Sequence, residues 1–348
     1  MKKSWKLSFI IAVLAIFLFA GCTADTSAVA EPEEEELTEL PEEPDTAEDE
    51  PEMPAEDEIE EEAEVGLDIH GLISRVEYGG NAAYIFGSMH MGRATWYPLH
   101  DTVEEAMRRA DIFAFETELW PEALVRMSML ALEYMFLDPG TTLEELLSED
   151  AFAHLLDVIE SFGVSYEEIS VASPWMLSNL LSQYVYGEIG VVEQYGIDFY
   201  IMDFAAEHDL PMIPLNSLEH EVNLAFNLSG ELQEYAALGL LDFETSLEQA
   251  EALATAYETQ DIAQITYFLR EYGADDYETN PLTRYIIDVL IIQRSIEFAQ
   301  EIIRLLEETE EPTIFFVTMG IGHMVGDDHG NVFRYLEDAG FEIVSLYE

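Results

Sequence analysis

Apolar residues follow two rhythms along this chain. Short unbroken runs, each closed by glycine or a charge, occur at residues 82–86, which stop at Gly87, at 112–115, which stop at Glu116, and at 313–318. Runs of that length bounded by turn residues read as strands buried on both faces. Elsewhere the spacing is three and four. Residues 99–110 read as a helix. Residues 121–273 are mostly helical, broken near Pro139-Gly140, Gly163 and Pro174, with a short strand at Met212-Ile213. Residues 282–308 read as one long helix with Ile286, Leu290, Ile291, Ile296 and Ile303 on its apolar side; a helix at 331–339 and a closing strand at 341–344 follow.

Strands thus gather at the two ends of residues 65–348 and helices fill the middle. The simplest packing is α/β: a central sheet built from N- and C-terminal strands, with a large, mostly helical middle insertion. Loops at the carboxyl ends of the strands then form the site.

The first 64 residues follow neither rhythm. Lys2, Lys3 and Lys6 precede an apolar run over residues 7–20, short for a membrane span, and Leu18-Phe19-Ala20-Gly21-Cys22 ends it. This reads as a lipoprotein signal peptide over residues 1–22, with Cys22 as the lipidated residue and Phe19 where Leu is more usual. Residues 23–64 read as a disordered acidic linker: from Asp25 to Glu64 there are 21 Asp and Glu, no base, and five prolines. The expected location is outside the cytoplasm, anchored to a membrane through the N-terminal lipid.

Charge narrows the function classes. The chain has 73 acids against 13 Lys and Arg, a net charge of −60, and its three lysines all lie in the first six residues. Nucleic-acid binding needs clustered cations, so it is excluded as a function class. The single cysteine excludes an intrachain disulfide and a thiolate metal cluster.

Two of the apolar runs end in one grammar: Gly87-Ser88-Met89-His90 and Gly320-Ile321-Gly322-His323. Glycine at a strand end permits a tight turn, and an imidazole three residues later projects at the mouth of the sheet. The run at 112–115 ends in Glu116-Thr117-Glu118. Two imidazoles and a carboxylate suit a divalent metal and leave positions open for water. The remaining histidines, His70, His100, His154, His208, His220 and His329, share no repeated context and read as surface or capping residues, with His329 close enough to His323 in sequence to approach the site. Met89, Met91, Met319 and Met324 read as packing around the loops. There is no His-Glu-x-x-His helix, Gly-x-Ser-x-Gly elbow, P-loop or Gly-x-Gly-x-x-Gly strand end.

Gly87-Ser88-Met89-His90-Met91-Gly92, Phe115-Glu116, Gly196-Ile197-Asp198 and Gly320-Ile321-Gly322-His323-Met324-Val325-Gly326 occur in the order seen in the TraB/GumN family, which the chain resembles over about residues 72–346. That family includes the Tiki-like metalloproteases. The resemblance implies that His90 and His323 are the motif histidines, that Glu116 is the acidic residue, that Arg294 lies where the family has Arg-Asn (here Arg294-Ser295), and that Asp198 belongs to its Gly-x-Asp. Ser88 stands where Thr is common. Leu215-Asn216-Ser217 falls where many members have Leu-Glu-Thr, and Glu221 where Gln is common, which leaves Glu219 to substitute for the missing acid or the chemistry altered.

The expected function is a divalent-metal-dependent hydrolase, a metallopeptidase by class, with Mn²⁺, Co²⁺ or Zn²⁺ held by His90, His323 and Glu116. Glu116 or Glu118 acts as base, Arg294 stabilises an oxyanion or clamps a substrate carboxylate, and Asp198 orients a histidine. The rival from another class is a non-catalytic extracytoplasmic protein that captures a metal or a metal complex.

Overall fold

The computed structural model describes residues 71–271, 276–326 and 330–346. The expected signal peptide with Cys22, the expected acidic linker, His70 and His329 lie outside the described residues. Among these residues no helix is long and apolar enough to cross a membrane.

Six strands form one mixed sheet in the order β4-β3-β5-β2-β1-β6. They are β1 (Leu72–Tyr78), β2 (Asn81–Ser88), β3 (Ile112–Phe115), β4 (Met212–Pro214), β5 (Ile314–Gly320) and β6 (Val344–Ser345). β4, β3, β5 and β2 run parallel, while β1 and β6 are antiparallel additions at one edge. All eight residues of β2 are buried, as a parallel strand covered on both faces requires. The α/β fold therefore has the form read from the sequence, with strands from both ends of the domain interleaved and a helical middle.

Successive side chains of the strands feed two cores. Phe86, Phe113 and Phe316 face the helical middle, and Ile85, Ala114, Phe315 and Val317 face the other way, onto Phe298, Ile302 and Leu306 of the helix Arg294–Glu308. Asn81 fastens that helix to the sheet. Its amide donates to the carbonyls of Leu306 and Thr309 at 2.9 and 2.8 Å, and its Oδ1 accepts from the Thr313 amide at 2.9 Å.

Three elements differ from the sequence reading. No strand was assigned to Leu72–Tyr78, yet β1 forms a hairpin with β2 through Gly79 and Gly80, whose φ values of +61° and +106° fit the tight turn that two-residue hairpins use. The closing strand is only Val344–Ser345, because Phe341 turns inward onto the Tyr78 ring with centroids 5.6 Å apart. The long helix of residues 282–308 is helical throughout but not uniform: Pro281–Tyr285 is α, Ile286–Gln293 is π, and Arg294–Glu308 is α again. Wider π turns recur at functional sites, and this one ends at Arg294.

Candidate active site at the strand ends

Parallel strands deliver their carboxyl ends to one edge, so the residues after β2, β3, β4 and β5 meet there. In the register of β2 and β5, Gly87 pairs with Met319 and Ser88 with Gly320. The two Gly-x-x-His motifs are thus neighbours, staggered by one residue. β5 lies between β2 and β3, which places Glu116 on the other side of the His323 strand from His90.

The loop after β2 is held by close backbone packing. The Ile197 amide donates to the Met89 carbonyl at 2.9 Å, and Gly92 and Val192 exchange backbone hydrogen bonds at 3.0 and 2.8 Å. A Cβ on Gly196 would lie 2.3 Å from the His90 carbonyl oxygen, and one on Gly92 would lie 2.0 Å from that of Tyr195. Both glycines are required by this approach. It brings Asp198, in the first turn of the helix Ile197–Glu207, under His90. Asp198 Oδ2 lies 2.7 Å from His90 Nδ1, and its Oδ1 accepts the Ser88 hydroxyl at 2.7 Å. Burial lowers the His90 pKa, but the Asp198 charge and hydrogen bond prevail and leave it above its ordinary 6.5.

Glu116 leaves β3 buried. Arg294 Nη2 lies 2.5 Å from its Oε2, the Gly320 amide donates to its Oε1, and His323 Nε2 lies 3.8 Å from that same oxygen. Burial opposes its charge, but Arg294, His323 and His90 outweigh burial and hold the carboxyl at about 2. His323 is tied by Ser295 Oγ, 3.0 Å from Nδ1, and by an edge-on contact with Phe298 at 5.0 Å. Arg294 stacks on the same Phe298 ring at 5.2 Å. Its Nε is buried without a hydrogen-bond partner.

Behind Arg294 lies Glu221, a carboxylate to which the sequence assigns no role beyond standing where Gln is common. Glu221 Oε2 lies 2.7 Å from Arg294 Nη2, and burial pushes its pKa up despite that cation. Asn216, just past β4, donates to both Glu221 and Glu297, at 2.8 and 3.0 Å, and His220 lies 2.9 Å from Glu297. Glu219 points elsewhere, to Arg126 at 3.4 Å, and Glu118 also pairs with Arg126. The acid that joins the cluster is therefore Glu221, not Glu219. Glu221, Asn216 and Ser295 each mark a departure from the resembled pattern, but a polar residue in a helix or after a short strand carries no chemistry until its neighbours are known.

The remaining described histidines behave as ordinary polar residues. His100 caps the helix Asp101–Arg109 by accepting from the Thr102 amide, His154 meets the Leu240 carbonyl, and His208 meets the Phe204 carbonyl. Met89, Met91, Met319 and Met324 are all buried packing.

Whether this cluster suits a divalent ion turns on its donors. Among the described residues, no group of three or more His, Cys, Asp or Glu side chains stands close enough to grip a metal ion without movement. Glu116 is drawn onto Arg294 instead. The donor set is nevertheless the right kind, with each histidine tied through Nδ1 by a second residue. Gly320 also leaves a corner open between the donors: a Cβ there would lie 3.2 Å from Glu116 Oε1 and 3.3 Å from His90 Nε2. To share an ion with His90, both Glu116 and His323 would have to part from Arg294, whose Nη2 lies 2.5 Å from Glu116 Oε2 and whose Nη1 lies 3.4 Å from His323 Nε2.

Known proteins are similar to this chain over most of its length. The chain is 22% identical over 253 residues to the uncharacterized protein YbaP of Shigella flexneri, and equally to that of Escherichia coli K12; each alignment covers 72% of this chain and 86% of the relative. No solved structure matches it. The TraB/PrgY/gumN family matches residues 72–345, from the first strand of the sheet to the last, and this chain belongs to that family.

Proposed function

We propose that this chain is a divalent-metal-dependent hydrolase of peptide bonds, held outside the cytoplasm by a lipid on Cys22. The observation that carries the chemistry is the tethering of both imidazoles. Asp198 holds His90 at Nδ1, and Ser295 holds His323 at Nδ1. The Asp198 carboxylate keeps the His90 lone pair on Nε2, as metal-binding histidines require, while His323 Nε2 lies 3.4 Å from Arg294 Nη1 and would have to exchange that neighbour for the ion. Mn²⁺, Co²⁺ or Zn²⁺ held by His90, Glu116 and His323 would lower the pKa of a water and polarise a scissile carbonyl.

The chain's own groups take the remaining roles. Asp198 accepts the His90 Nδ1 proton and keeps the lone pair on Nε2. Glu116, with its carboxyl at about 2, stays anionic and suits a cation rather than a proton. Glu221, with its pKa raised by burial, is the carboxylate in the cluster suited to accept a proton. In this reading Glu221 takes the base role expected of Glu116 or Glu118, since Glu116 is held by Arg294 and Glu118 pairs with Arg126. Arg294, the cation beside Glu116 and His323, takes the role of stabilising charge that develops on a substrate oxygen.

The test is turnover by the purified full chain, stripped by chelator and reloaded with Mn²⁺, Co²⁺ or Zn²⁺, on a peptide library and on simple esters. Peptide cleavage should require metal and fall about 10³-fold or more in His90→Ala and in His323→Ala, with the double variant little worse than either, because residues acting as a unit do not add. Tight metal binding without turnover would replace the hydrolase by a metal-capture protein, and absence of binding would end the reading.

A further inference from the structure

The helix Pro121–Met135 has two apolar sides. Ala123, Met127, Ala131 and Met135 are buried. On the other side, Val125 is 59% exposed, Met129 69%, Leu132 52% and the C-cap Phe136 48%. Val171, 60% exposed, extends the strip beyond Phe136, where the Leu137 amide donates to its carbonyl at 2.8 Å. A strip of this kind reaches roughly the 300–600 Å² at which an exposed apolar patch marks an interaction surface.

We propose that this strip is the interface of a homodimer, in which two copies pack helix against antiparallel helix about a two-fold axis. The occupant follows from the pattern. Positions 125, 129 and 132 are spaced four and three, the seam spacing of one helix packed on another, and the extended C-cap Phe136 continues the strip past the helix end. The strip is also complementary to itself. Under an antiparallel two-fold, Val125 faces Phe136 and Met129 faces Leu132, so a small residue meets a large one and the middle pair matches in volume. A self-complementary patch is what a two-fold dimer requires.

Charge argues against a lipid surface. Helices that lie on membranes flank their apolar side with Lys and Arg. This one is flanked by Glu122, Glu133 and Asp138, and its Arg126 is occupied by Glu118 and Glu219. Two facing strips bury about 1,000 Å² in total, the lower end for a specific interface. Two copies of a chain with net charge −60 also repel. The dimer is therefore weak at low salt and tightens as salt screens the repulsion. None of this depends on the site being hydrolytic.

The test uses full-length protein. Met129→Cys/Leu132→Cys should form a disulfide-linked dimer in membranes under mild oxidation, where the parent chain, with Cys22 alone, does not. In detergent, sedimentation should show a wild-type dimer whose fraction rises with salt, and Leu132→Glu should weaken it about tenfold or more with an unchanged far-UV spectrum. A wild-type monomer at every salt and protein concentration would overturn the proposal. So would a dimer indifferent to Leu132→Glu with no 129–132 cross-link. A label on Met129→Cys that reports acyl-chain surroundings would overturn it too, and assign the strip to lipid.

Discussion

Glu221 and Arg294 form a buried ion pair, Oε2 to Nη2 at 2.7 Å, on the same guanidinium nitrogen that holds Glu116 at 2.5 Å. Asn216 donates to Glu221 at 2.8 Å and helps to hold that carboxylate against Arg294.

One cation facing two buried carboxylates makes Arg294 a stability residue as well as a site residue. Arg294→Met leaves Glu116 and Glu221 uncompensated, and removing one partner of a buried pair costs about 3–5 kcal/mol. Denaturant unfolding of the chelator-treated protein should show this loss. Arg294→Met/Glu221→Gln should recover part of it, because one of the stranded charges is gone.

Acid should act through Glu116. Its carboxyl lies at about 2 in the fold against an ordinary 4.5. A lowered pKa contributes stability that is complete above pH 4.5 and is lost as pH falls toward 2. Urea midpoints of metal-free protein should drop across that window, and Glu116→Gln should drop less steeply. Equal slopes would mean that the Glu116 charge does not support the fold.

His90 has the opposite sign. Its pKa is raised above 6.5, so its contribution is complete below 6.5 and is lost as pH rises through the raised value. Asp198→Asn should lower the His90 pKa, read by NMR titration, and destabilise the protein more at acidic than at alkaline pH. Metal affinity should weaken about 10–100-fold, the usual effect of removing a histidine's supporting carboxylate.

Gly320→Ala tests the open corner between the donors. The new methyl would lie 3.2 Å from Glu116 Oε1 and 3.3 Å from His90 Nε2, tight enough to push both. Metal binding by calorimetry should fall sharply while the far-UV spectrum stays native. Unchanged affinity would place the ion elsewhere.

Cys22→Ser tests the anchor. If the thiol carries the lipid, the variant should leave the membrane fraction or remain unprocessed, as fractionation and intact mass would show. Unchanged membrane association with a cleaved signal would remove the lipid anchor from the proposed function.

Much of the fold was legible because its signals are local. The runs at β2, β3 and β5 are continuous apolar segments with turn residues at their ends, and the structure has strands there. β1 was missed although Gly79-Gly80 supplied a hairpin turn, because Leu72–Tyr78 mixes Ser74, Arg75 and Glu77 into its apolar positions. At the other end, Phe341 has strand propensity but finds more burial against Tyr78 than in a ladder.

By itself the sequence determined the strand grammar, the helical middle, the acidity and the two histidine motifs, since each of these rests on residues close together along the chain. Only the tertiary structure decided which acid joins them. Glu118, Glu219 and Glu221 are indistinguishable as letters, and all stand near an arginine once the chain is folded. Burial separates them: Glu118 and Glu219 share the exposed Arg126, whereas Glu221 is enclosed with Arg294. A buried carboxylate keeps its charge only beside a cation in contact, and that contact is formed by strands and helices distant in sequence.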